Sequence, residues 1–166
     1  MSKAFTSEET QDEAPRGRAP PRAGEERPIT RAGRAALEAE LRAVQRERAE
    51  FLRAPRGSEI ERKARLEELS RREELFAATL ATAVERGAPG DLSRVAFGSI
   101  VEVEDERGKR VVYQLVGPDE TDARQGRISI ASPLGRALLD QEVGDEVELE
   151  LPRGTELFTV RAIRGE

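Results

Sequence analysis

Ile128–Leu139, ISIASPLGRALL, decides how the second half of this chain folds. It reads as a strand over 127–131, a Ser-Pro helix start, and one or two helical turns. A Gly-Asp turn and a further strand follow in GDEVEL, Gly144–Leu149. Ser132 is suited to accept an orphan backbone N–H, and Pro133 suits the first helical position. Leu138 and Leu139 lie on an apolar stripe and are expected in the core. These features predict a helix packed on a sheet.

Alternating strands surround that stretch. Ser99–Glu104 interleaves Ile100, Val101 and Val103 with acids. Asp105–Gly108 makes a turn, and 110–116 returns as a second strand. Residues 117–126 read as a polar loop. Glu146–Leu151 and Leu157–Ile163 form a second hairpin around Pro152-Arg153-Gly154. The expectation is a twisted, mostly antiparallel sheet with one short helix on a face.

The first half differs. Residues 1–28 have almost no apolar side chain after Phe5, so they read as a leader unable to offset its ordering entropy. From Thr30, a plausible N-cap with Ile29 before it as a staple, apolar residues recur at Leu37, Leu41, Val44 and Phe51, a heptad seam. This helix should run to about Arg53, roughly 35 Å at 1.5 Å per residue. Ala54-Pro55-Arg56-Gly57 ends it. Ser58 caps a second helix, with Ile60, Leu66, Leu69, Phe76, Leu80 and Ala83 as its seam, running to about Arg86. A short turn between two amphipathic helices implies an antiparallel helical hairpin, or coiled coil, over 29–88. Residues 89–94 are a linker and 95–166 a C-terminal domain. The fold class is α+β.

Composition narrows the function. The 166 residues include 37% charged and only 4% aromatic, with formal net charge −5. Residues 1–28 carry net −1, 29–88 net +2 and 89–166 net −6. The acidic C-terminal domain argues against free DNA as its main partner, while the middle tolerates nucleic acid nearby. Absence of Cys and His removes thiol chemistry, zinc fingers and imidazole acid–base work. No apolar run approaches the roughly 20 residues that span a bilayer. A cytoplasmic location is expected.

Five segments carry a resemblance. VAFGSIVEVED (95–105), YQLVGPDETD (113–122), ISIASPLGRALL, VGDEVELELPRG (143–154) and FTVRAI (158–163) occur in order at short intervals. Together they resemble the C-terminal domain of the bacterial GreA/GreB transcript-cleavage factors, the GreB branch being the nearer. The resemblance is dense over 95–163 and weaker over 29–41. It implies an FKBP-like sheet domain. It also implies a monomeric regulator that docks on core RNA polymerase, has no catalytic residue of its own, and sends its hairpin into the secondary channel. Acidic residues in a GDxxEN-like tip motif of that family help hold a second Mg²⁺ at the polymerase active site, so that the polymerase cleaves backtracked RNA. The docking surface it implies is Asp119, Glu120, Asp122, Ser132, Pro133, Leu134, Arg136 and Ala137. Local chemistry alone would make Ser132 and Pro133 a helix cap and Asp119 and Asp122 a solvated loop.

The tip departs from the pattern. It has no GDxxEN and no Asp. Glu59 and Glu61 are two apart on a helix and do not face the same way, with Arg53, Arg56 and Arg62 around them. Gly90-Asp91-Leu92 reads as a turn at the hairpin base. Spacing from Ile29 to Val95 suggests arms about two helical turns shorter than the family's usual form. Strong cleavage stimulation is therefore not expected, and neither a metal site nor a cofactor is expected in the chain itself. The alternatives are an active cleavage factor using Glu59 or Glu61, and an FKBP-like isomerase or chaperone, which so few aromatic residues disfavour.

Overall fold

A computed structural model describes residues 19–22, 24–152 and 154–165. The leader reading for residues 1–18, and Arg153 of the expected turn, lie outside the described residues.

Two helices lie side by side. Helix α1 spans Arg31–Arg53 and α2 spans Glu59–Thr82. Their ends are set by side chains. The Thr30 hydroxyl accepts from Gly33 N at 3.0 Å. Ser58 and Glu61 make a reciprocal capping box. Arg34 near the start of α1 donates to the Ala83 carbonyl just past α2 at 3.3 Å, while Gln45 reaches Glu73 at 3.2 Å. Glu47 meets Arg65, so the helices run antiparallel. Leu37, Val44, Leu69 and Thr79 are buried between them.

Two expectations change here. Ile60 is 82% exposed instead of lying in the seam, because α1 has ended at Arg53 and residues 54–58 are all exposed. The second helix stops at Thr82. The next residues, Ala83–Glu85, form strand β2, which pairs in parallel with β1, Arg27–Ile29. Arg86 N donates to the Ile29 carbonyl at 2.8 Å, extending that pairing. Arg27 and Pro28 therefore belong to the folded part, not to the leader.

The second unit is a five-stranded curled sheet. Strands β3 (Ile100–Asp105), β4 (Arg110–Val116), β5 (Arg127–Ser129), β6 (Glu146–Leu151) and β7 (Gly154–Arg164) are ordered β5-β4-β3-β7-β6. The β4–β5 pair is parallel, so the sheet is mixed. The crossover is the 117–126 loop, which contains a 3-10 turn at Ala123–Gln125. Strand β5 ends at Ser129, earlier than the sequence suggests, because the Ser129 carbonyl turns to accept from Ser132 N and Oγ. The register of β3 on β7 shifts between Glu102 and Val103, a bulge that adds curl.

Helix α3, Pro133–Leu138, covers one face. Val95, Val101, Val103, Leu115, Leu138 and Val160 are fully buried there, with Tyr113, Ile128, Leu134, Val147, Leu149 and Phe158 nearly so. Leu138 is in the core as expected, and Leu139 is partly buried at its edge. At roughly 1.5–3 kcal/mol for each fully buried aliphatic side chain, this cluster supplies most of the apolar stabilisation of the chain. No helix among the described residues is long and apolar enough to cross a membrane.

Candidate functional site: the docking loop, the junction and the tip

The residues expected to form a docking surface separate into two groups. Ser132, Pro133, Arg136 and Ala137 ring the start of α3. Ser132 accepts from Gly135 N at 3.0 Å and donates to the Ser129 carbonyl at 2.7 Å, so its hydroxyl is used within the chain. Pro133 and Arg136 are exposed, and Ala137 is half-buried. The Arg136 guanidinium bonds back to the Ala131 carbonyl. Leu134 is 5% exposed and belongs to the core, which leaves it little surface to offer a partner. Asp122 caps the 3-10 turn, accepting from Arg124 N at 3.0 Å and from the Gln125 amide at 2.8 Å. It also sits 3.7 Å from Arg127.

Asp119 and Glu120 do not lie in a solvated loop. Their carboxylates point inward, against the base of the helical pair. Asp119, with a side chain 6% exposed, pairs with Arg27 at 2.9 Å. Arg27 is itself buried and also donates to the Ala19 carbonyl at 3.2 Å. Glu120 Oε2 accepts from Thr30 N at 2.9 Å and from Gly117 N at 3.3 Å, and its other oxygen accepts a hydrogen bond from the Thr30 hydroxyl. A carboxylate of the sheet unit thus sits at the start of α1, where the helix dipole favours negative charge.

Two glycines permit this approach. A Cβ on Gly33 would lie 1.8 Å from Glu120 Oε1, and one on Gly117 would lie 1.9 Å from the Pro28 carbonyl. The sequence reading missed Arg27, Thr30, Gly33 and Gly117 as a group. A signal existed in Gly33, since glycine in the first turns of a helix is costly unless something packs against it.

At the far end of the pair, Arg53, Arg56, Glu59 and Glu61 are all exposed. Four basic and two acidic side chains occupy Arg53–Lys63. Glu61 is committed: its carboxylate accepts from Ser58 N at 2.7 Å, and that backbone bond holds its pKa below the ordinary Glu value. Glu59 lines an open groove of about 830 Å³ with Phe51, Leu52, Pro55, Arg62 and Leu66. The two acids do not fit a shared divalent cation, because one is already spent on a cap and basic groups flank both. Among the described residues no three carboxylates converge as a metal cluster would require. Asp91 turns its carboxylate to Ser93 N at 2.9 Å, as a linker turn would.

Comparisons with known proteins bear on most of the chain. The family model described as "Transcription elongation factor, GreA/GreB, C-term" matches residues 90–165. Transcription elongation factor GreB of Xanthomonas axonopodis pv. citri is 41% identical over 149 residues, covering 81% of this chain and 89% of that protein. Transcription elongation factor GreA of Verminephrobacter eiseniae is 44% identical over 79 residues, covering 45% of this chain and 50% of that protein. Among solved structures, GreA factor homolog 1 of Thermus thermophilus is 29% identical, with a TM-score of 0.41, covering 85% of this chain and all of that one. The family model falls on the sheet unit, and the Xanthomonas relative extends the match across most of the remaining chain. On these matches, the chain belongs to the GreA/GreB family of transcription elongation factors.

Proposed function

We propose that this chain binds core RNA polymerase through its sheet unit and presents the helical pair, as a hairpin, to the secondary channel without strongly stimulating transcript cleavage. The observation that carries the second half is the state of the tip. Two-metal hydrolysis needs carboxylates placed to share a hard cation. Here Glu61 closes a capping box with Ser58, leaving Glu59 alone among Arg53, Arg56 and Arg62. The likeness to GreA and GreB factors supports the first half, together with the FKBP-like arrangement that this likeness implies for the sheet unit.

In this reading the chain is a regulator and not an enzyme. It acts as a monomer in the cytoplasm, near RNA and DNA held by the polymerase, and any Mg²⁺ belongs to the polymerase. Contact is made by the exposed Pro133 and Arg136 of α3, with the half-buried Asp122 of the loop and Ala137 beside them. Ser132 and Leu134 hold their backbone in place, and Asp119 and Glu120 support the loop from beneath.

A pull-down with core polymerase tests the docking half. The parent chain binds, and Pro133→Glu with Arg136→Glu abolishes binding while leaving the melting temperature near the parent's. Equal binding by that double variant would refute the surface assigned here.

A further inference from the structure

We propose that Arg27, Thr30, Gly33, Asp119 and Glu120 form a positioning clamp that sets the direction of the helical pair on the sheet unit. The functional consequence rests on the polymerase reading above; the geometric claim does not.

Four observations meet at this junction. The Thr30 backbone and side chain both donate to Glu120. Arg27 and Asp119 are paired with both side chains under a tenth exposed. Gly33 and Gly117 leave no room for a Cβ, one against the Glu120 carboxylate and one against the Pro28 carbonyl. Gly117 N donates to the same carboxylate, so the loop is fixed from its own side as well. Thr30 is the N-cap of α1 and Ile29 ends β1, so α1 starts at a point held by Glu120.

A carboxylate with three donors fixes orientation far better than an apolar patch, since each bond is directional. Rotating the helical pair would take both Thr30 donors from the buried Glu120 carboxylate, leaving only Gly117 N, and would part the Arg27–Asp119 pair in the same motion. At 1.5 Å per residue, α1 carries its far end about 35 Å from the clamp, so a small change of angle there displaces the tip by many ångströms. Thr30 is only 2% exposed and therefore acts on any partner through the direction of the helices.

The chain contains no Cys, which makes site-directed spin labelling direct. Labels at Leu52→Cys on the helical pair and Val143→Cys on the sheet unit occupy exposed positions in the two units. Pulsed electron spin resonance should give a single narrow distance distribution in this labelled parent. Thr30→Val and, separately, Gly33→Ala should lose that single distance, and Thr30→Ser should restore it. Arg27→Gln serves as a second route should Gly33→Ala fail to fold. An unchanged distribution in Thr30→Val and Arg27→Gln overturns the clamp.

A second measurement separates this from the polymerase reading. Thr30→Val should bind core polymerase within a factor of about two of the parent, as a site without partner contact would, while losing its competition with a cleavage-competent factor. If the parent itself does not bind, the polymerase reading falls and the distance distribution alone decides the clamp. If Thr30→Val keeps both the distance and the competition, the clamp is refuted.

Discussion

The two units of this molecule are stabilised by different means. The sheet unit has a core of twelve buried residues from five strands, helix α3 and Val95. The helical pair buries Gly33 and three other small or aliphatic residues of α1 and α2 plus Thr79, with nothing buried between Val44 and Leu69 along the chain. Around that thin seam lie ion pairs such as Arg72–Glu47 at 3.5 Å and Arg48–Glu73 at 3.9 Å, on side chains 30–44% exposed. Exposed pairs of this kind contribute between nothing and about 1 kcal/mol each. The sheet unit should therefore behave as a self-sufficient fold. The helical pair should be held mainly from its base to its middle, by Leu37, Val44 and Leu69 and by its attachment to the sheet unit.

The sharpest way to break this contrast is to remove one core side chain from each unit. Leu115→Ala empties a fully buried site in the sheet and should cost about 3–4 kcal/mol, lowering the melting temperature of the whole molecule in calorimetry. Leu69→Ala is equally buried but lies in a two-helix seam that can partly collapse, so about 2 kcal/mol is expected. Its signature should be local: hydrogen exchange should quicken across α1 and α2 and stay slow in β3, β4 and β7. Equal quickening in both units would show that they unfold as one.

Smaller effects sharpen the picture at the tip. Ser58→Ala removes half of the capping box and should cost about 1 kcal/mol, read as fraying of the first turn of α2. Ile60→Ser, at an exposed position, should change stability by less than about 0.5 kcal/mol in a denaturant titration. A larger loss would put Ile60 back in the seam. The pH dependence is smallest. The Glu61 pKa is held below its ordinary value by the Ser58 backbone bond. Its contribution is thus present above the ordinary Glu range and lost as pH falls through the lowered value. Acid should loosen the start of α2, seen as a shift of the Ser58 amide resonance, and Glu61→Gln should largely remove that response.

Much of this architecture was legible in the chain because local chemistry and tertiary structure agree. Thr30, Ser58 and Ser132 each cap the helix that their sequence context announces. Strand β4 begins and ends where its alternation and flanking turns place it. What was not legible depends on distant partners. Ala83–Glu85 look like a continuing helix, and only pairing with Arg27–Ile29 makes them a strand. Strand β5 pairs in parallel through a loop that reads as merely polar. Asp119 and Glu120 look like surface acids because nothing nearby in sequence announces Arg27 and Thr30, some ninety residues earlier, as their partners. At the tip the chain shows few acids, but the capping role of Glu61 emerges only when its carboxylate is seen to accept from Ser58 N.

The proposal that the chain occupies the polymerase without the tip chemistry of a cleavage factor is open to a single assay. The most direct measurement is RNA cleavage in a backtracked elongation complex, with this protein alone and then beside a cleavage-competent GreA or GreB factor. This protein alone should give no stimulation, and beside the competent factor it should inhibit. Stimulation by this protein alone, abolished by Glu59→Gln, would contradict it.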